Sequence, residues 1–254
     1  KPTQHSVKEL QSVGIQPDIL VLRTEKHLSD GVRMKVASFC NMDLECVVQS
    51  EDLPSIYEVP VSMQQQGLDA AILRKLGIPV GETPALGPWK SYLERRRNAK
   101  EEVRIGLVGK YDLQDAYKSI RESLLHAGVY NDRKTVITYI NSEHITKENV
   151  AEKLAVQDGI LICPGFGHRG IEGKIIAAQY TREHDIPTFG ICLGMQMMVI
   201  EFARNVLGYQ DADSREMDEK TTHNVIDIME DQKNISNMGG TMRLGAYECI
   251  LRQG

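Results

Sequence analysis

The sequence has little of what would mark several large function classes. It has no C-x-x-C pair, and its five cysteines (Cys40, Cys46, Cys163, Cys192, Cys249) are widely scattered, so zinc-site and dithiol-redox readings are weak. Reduced thiols in a cytoplasmic protein are the simplest account. There is no basic excess: the formal net charge is −5, which gives no footprint for a nucleic acid polymer or an anionic membrane. No apolar run approaches the length that spans a bilayer, and Lys1-Pro2-Thr3-Gln4 is not a signal peptide. Internal repeats and low-complexity tracts are absent too. What remains is ordinary for a globular protein, 41% hydrophobic and 26% charged over 254 residues, enough for one large or two ordinary domains.

The most informative stretch is Pro187 to Met198. A short apolar run ends in Gly190-Ile191-Cys192-Leu193-Gly194 and passes at once into an apolar-periodic segment, Met195 to Leu207. This spacing predicts a strand, a tight turn and a helix, with glycines on either side of a thiol that must stand exposed. A helix N-terminus would favour the thiolate there. The competing reading is a buried structural cysteine between turn glycines.

Regular alternation surrounds it. Apolar strands are expected at 103–109, 135–140, 159–162 and 186–191, and helices at 114–127, 147–156, 173–183 and 195–207. Continuous apolar strands alternating with helices predict an α/β domain, its mostly parallel sheet covered by helices on both faces. Ligands in such sheets sit beyond the C-terminal strand ends. Two turns fall there, the Cys192 turn and Cys163-Pro164-Gly165-Phe166-Gly167-His168. A thiol acyl-transfer site needs backbone donors for its oxyanion. Leu193 N–H is one candidate and Gly165 N–H the other, since Pro164 has none to give.

Residues 1–80 read as the end of a second α/β unit, with helices at 5–13, 31–40, 59–66 and 68–76 and strands at 17–22 and 46–48. Pro79 to Lys100 changes composition, and 81–102 is expected to be an interdomain linker, leaving 103–254 as the second domain. Arg95-Arg96-Arg97 reads as a solvated helix face. Gly106-Leu107-Val108-Gly109-Lys110-Tyr111 fails as a P-loop, because the glycine spacing is short and Tyr111 stands where Ser or Thr would reach Mg²⁺.

Pro-Gly-Phe-Gly and Gly-Ile-Cys-Leu-Gly-Met-Gln resemble class I, triad-type glutamine amidotransferases. The strings Lys1 to Leu10, Gly14 to Asp18, Gly109-Lys110-Tyr111 and Gly239 to Gly245 narrow this to a resemblance to the CTP synthase family. The resemblance implies a P-loop-type synthetase domain followed by a glutaminase domain. Together they make CTP from UTP, ATP·Mg²⁺ and glutamine through a phosphorylated uracil O4 and channelled ammonia. It makes Cys192 the nucleophile and Gly165, Leu193, Gly194, Met195, Gln196 and Glu216 the glutamine pocket. Lys1, Thr3, Gln4 and Lys35 would lie around UTP or CTP, and Asp52 near ATP. Phe166, Arg169 and Arg243 would lie near the GTP effector, with CTP acting in feedback. It further implies a homotetramer and Mg²⁺ held with ATP at a site mostly outside these residues, with no organic cofactor and no resident metal.

Pro164 replaces a glycine that many members carry. The family's His-x-Glu does not follow any of the seven histidines, and the P-loop is absent. Both ends therefore look cut from something longer, and the 254 residues alone are expected to lack full activity. The alternatives are a catalytically silent glutaminase-like module that works by binding, and a different Cys-elbow hydrolase of the same architecture.

Overall fold

The computed structural model describes residues 2–111, 114–228 and 250. The chain divides into two compact units, Lys1–Asn98 and Ala99–Gly254.

In the first unit, helix α1 (Pro2–Ser12) precedes strand β1 (Leu20–Thr24), helix α2 (Asp30–Phe39) and strand β2 (Val47–Glu51). β1 and β2 pair in parallel, Leu20 opposite Val47, with α2 as the crossover. Leu22, Ala37 and Val47 form the buried centre of this βαβ unit. Helices α3 (Val59–Gln65), α4 (Leu68–Lys75) and α5 (Gly87–Asn98) complete the unit. Buried Gln49 ties β2 to the end of α3: its N–H donates to Gln66 Oε1 at 2.8 Å, and Gln66 Nε2 donates to Gln49 O at 2.9 Å.

The stretch 81–102 holds α5, which packs on the first unit. Trp89 Nε1 donates to Tyr57 O at 2.7 Å, Leu93 is buried, and Arg97 pairs with Glu58 at 3.2 Å. Arg96 lies over the Tyr57 ring, so the triple-arginine run is engaged by its own unit as well as solvated.

In the second unit, β3 (Glu102–Gly109), α6 (Lys118–Tyr130), β4 (Lys134–Asn141), α7 (Val150–Leu154), β5 (Gly159–Ile162), α8 (Ile171–Glu183), β6 (Thr188–Gly190) and α9 (Leu193–Asn205) follow in order. Two short strands, β7 (Asp213–Ser214) and β8 (Asn224–Ile226), form a separate pair. The main sheet runs β4-β3-β5-β6, parallel throughout. Its apolar strands bury both faces. Val108, Ile140, Ile160 and Ile162 meet Val150, Leu154, Ala177 and Ala178 on one side. Leu107, Leu161 and Cys163 meet Tyr117, Ile120 and Leu124 on the other. α8 packs on α9 through Ile171, Ile175, Leu193, Met197 and Ile200. The predicted α/β class with helices on both faces is the architecture observed.

The expected helix at 114–127 is a 3-10 turn (Gln114–Tyr117) followed by α6. The expected helix at 147–156 shrinks to one short helix, α7, because the Thr146–Asn149 turn precedes it: Asn149 Oδ1 accepts from Thr146 N, and its Nδ2 donates to His144 O.

Candidate active site at the strand ends of the second unit

Cys192 stands at the N-cap of α9 with φ 53° and ψ −114°, a conformation that an L residue adopts only under constraint. The constraint is close packing of the turn. A Cβ on Gly190 would lie 2.6 Å from Met195 N, and one on Gly194 would lie 2.0 Å from Ile162 O. Neither position holds any residue but glycine without the turn moving away from β5. Ile191 N donates to Ile162 O at 3.1 Å, and Gln196 N donates to Cys192 O at 3.1 Å, which fixes the turn to β5 on one side and to α9 on the other. The Cys192 side chain is exposed, whereas Cys40, Cys46 and Cys163 are buried.

The second turn leaves β5 one strand away. Cys163 N donates to Val108 O at 2.9 Å and so ends the ladder. Its carbonyl accepts from Lys174 Nζ at 2.7 Å, and Pro164 then turns the chain away from the sheet. A Cβ on Gly165 would lie 3.6 Å from Leu193 Cδ2, so Gly165 and the first residue of α9 are neighbours. The geometry thus brings together the two residues whose N–H groups are candidates for the oxyanion.

The predicted glutamine-pocket residues distribute as follows. Leu193 and Gly194 are buried, Gln196 is half-buried and Met195 is exposed at the rim. Glu216 is half-buried in the turn after β7. Its neighbour Met217 packs against the Leu193–Met197 cluster, which places that turn beside the start of α9. Phe166 is exposed, and its carbonyl accepts from Lys110 Nζ. Arg169 pairs with Glu143 at 3.0 Å and lies over the Tyr111 ring. His168 is exposed on the same loop.

In the first unit, Thr3 and Gln4 lie half-buried in α1, and Lys35 is exposed on α2. Lys8 of α1 lies over the Phe39 ring of α2, 5.1 Å from its centroid. Asp52 follows β2 and pairs with Arg23. Lys1, Arg243 and the Gly239–Gly245 string lie outside the described residues.

Two lysines were not singled out by sequence reasoning. Lys110, read in the sequence as a failed P-loop lysine and as part of the Gly109-Lys110-Tyr111 string, is buried and holds the Phe166 carbonyl. Lys174 is wholly buried in the first turn of α8. Burial above all brings its pKa down to about 8. Lys110 adds like-charge repulsion, while Cys163 and Cys192 favour the charged form. Burial also pushes the Cys163 thiol up to about 12, against the pull of Lys174. The available signal was positional: Lys174 shares a helix face with apolar Ile171, Ile175 and Ala178.

A thiol on a strand–turn–helix elbow of a parallel sheet, beside a glycine turn from the adjacent strand, is the architecture of a class I glutaminase domain. The family model described as glutamine amidotransferase class-I matches residues 112–254, more than half of the chain. A second model, CTP synthase N-terminus, matches residues 1–78. The chain is 71% identical over its whole length to a CTP synthase of Bacteroides thetaiotaomicron, covering 48% of that protein. It is 58% identical over its whole length to one of Porphyromonas gingivalis, covering 47%. Among solved structures, the Trypanosoma brucei CTPS glutaminase domain with bound acivicin is 41% identical, covering 52% of each chain at a TM-score of 0.49. The chain spans about half the length of the curated relatives it matches. It belongs to the CTP synthase family of class I glutamine amidotransferases.

Proposed function

We propose that this chain carries the glutamine-hydrolysing site of a CTP synthase, together with part of the unit that aminates UTP at the expense of ATP. The observation that carries the reading is the Cys192 elbow: an exposed thiol at φ 53°, held by two glycines that admit no Cβ. In this reading the Cys192 thiolate attacks the side-chain amide carbon of glutamine and forms a C–S bond. The carbonyl oxygen becomes an oxyanion that accepts hydrogen bonds from the N–H groups of Gly165 and Leu193. Collapse breaks the C–N bond, the nitrogen leaves protonated as ammonia, and a glutamyl thioester remains. Water then hydrolyses the thioester to glutamate and releases the thiol.

Glutamine is held by Gly165, Leu193, Gly194, Met195, Gln196 and Glu216. UTP, and CTP as feedback ligand, meet Thr3, Gln4, Lys35 and Lys1, and ATP meets Asp52. Phe166, Arg169 and Arg243 serve a GTP activator, and the assembled enzyme is a homotetramer. Mg²⁺ arrives with ATP as part of that substrate. Among the described residues no three metal-type side chains cluster. The silent-module alternative is not favoured, because the relatives that match the whole chain carry the name CTP synthase.

The test uses the protein at its full natural length, with either glutamine or added ammonia as the nitrogen source. Cys192→Ala should abolish CTP formation from glutamine and leave formation from added ammonia intact. Glutamine-dependent synthesis that survives the substitution would refute the thiol mechanism, and an absence of CTP formation in the unaltered protein would refute the whole reading.

A further inference from the structure

Lys174 is the largest fully buried side chain among the described residues, and no carboxylate among them pairs with it. A buried ammonium without a counter-anion is costly, so its one hydrogen bond matters. That bond goes to Cys163 O, where β5 hands over to the Pro164–Gly165 turn. The residue is tied on both sides, its N–H to β3 and its C=O to Lys174, so the next peptide leaves the sheet in a fixed direction. Lys174 itself has no freedom to retreat. A Cβ on neighbouring Gly173 would lie 1.8 Å from Ser142 O, so the start of α8 is pressed onto the Ser142 turn. From that seat Lys174 Nζ lies 3.8 Å from the Cβ position of Gly165, whose other neighbours are Lys110 Cε at 3.4 Å and Leu193 Cδ2 at 3.6 Å.

We infer that Lys174 is a positioning residue for acyl transfer at Cys192: its bond to the Cys163 carbonyl orients the Pro164–Gly165 peptide so that the Gly165 N–H meets the developing oxyanion. This rests on the thiol-nucleophile reading above. Lys174 touches no reacting atom and acts through the turn. A charged donor makes the stronger hydrogen bond, so the effect should weaken as Lys174 loses its proton. The titratable groups that act on it are Cys163 at the end of β5, Lys110 after β3 and Cys192 at the elbow, and with these its pKa of about 8 lies in a workable range.

The test compares two reagents on the full chain, with Cys192 labelling mapped by mass spectrometry. A chloroketone analogue of glutamine reacts through a tetrahedral oxyanion, whereas iodoacetamide alkylates by direct displacement. Their rate ratio cancels the titration of the thiol. In the unaltered chain the ratio should fall several-fold between pH 7 and pH 9. Lys174→Met should lower it at least tenfold at pH 7 and leave it flat with pH, with the iodoacetamide rate within about twofold of normal. A pH-independent ratio in the unaltered chain would overturn the positioning role, even if the variant failed to fold. So would an unchanged ratio in Lys174→Met. If the chloroketone does not select Cys192 in the unaltered chain, the thiol-nucleophile reading itself fails and the positioning role goes with it.

Discussion

Cys163 and Cys192 occupy equivalent places, each just past the C-terminal end of a parallel strand and ahead of a helix, yet they end in opposite states. Cys163 is wholly buried, its thiol pushed up to about 12 by loss of water. Cys192 is exposed, with its backbone forced into a positive φ. Residue type and strand position are shared, so the difference lies in the next few residues. After Cys163 comes Pro164, and the chain extends into a loop before α8 begins at Ile171. After Cys192 the helix begins at once, and glycines on both sides let the turn press against Ile162 O and lift the thiol outward. An exposed thiol is thus made by the packing of its neighbours, whereas Cys163 is shielded simply by burial.

The comparison breaks most sharply at the thiols themselves. Cys192→Ala should remove all labelling by a glutamine-like chloroketone. Cys163→Ala should leave Cys192 labelling within about twofold, as measured by peptide mapping. The next largest effect falls on the glycines. Gly194→Ala puts a Cβ where Ile162 O now stands at 2.0 Å, and the turn cannot yield without leaving β5. It should cost about 3 kcal/mol or more in denaturant unfolding.

A smaller effect concerns pH. Lys174 is depressed to about 8, whereas a lysine in the unfolded chain sits near ~10.4. Between those values the unfolded chain binds more protons, so stability rises with pH there, and the cost of burying the ammonium is fully present below about 8. Cys163 has the opposite sign. Its folded value of about 12 exceeds the unfolded ~8.5, so its contribution is intact below ~8.5 and is lost as pH climbs toward 12. Lys174→Met should therefore be no less stable than the unaltered chain at pH 7, and up to about 2 kcal/mol more stable. Above about 8.5 its stability should fall with pH, whereas in the unaltered chain the Lys174 gain offsets the Cys163 loss up to about 10.4. The smallest effect is Gly165→Ala. A Cβ there meets nothing closer than 3.4 Å, so unfolding should shift by less than about 1 kcal/mol.

Much of the sheet was legible because its strands are continuous apolar runs bounded by glycine or charge. The expected strand at 159–162 coincides with β5, and helices α8 and α9 begin two residues ahead of their expected starts at 173 and 195. Strand order was not legible, since β3 sits between β4 and β5 through contacts that no local pattern encodes. At the site, Gly-x-Cys-x-Gly announced the elbow through local sterics. Lys174 did not announce itself, because its meaning depends on a carbonyl eleven residues earlier in sequence. Tyr117 shows the same limit: it looks like an ordinary helix residue, but it packs against Gly109, where a Cβ would lie 2.5 Å from its hydroxyl.

The most direct test of the account is site-mapped alkylation of the full chain with a glutamine-like electrophile, run with and without excess glutamine. The account predicts that Cys192 alone is modified among the five cysteines and that glutamine suppresses the modification. Equal modification of Cys192 and Cys163, or labelling of Cys192 that glutamine leaves untouched, would contradict it.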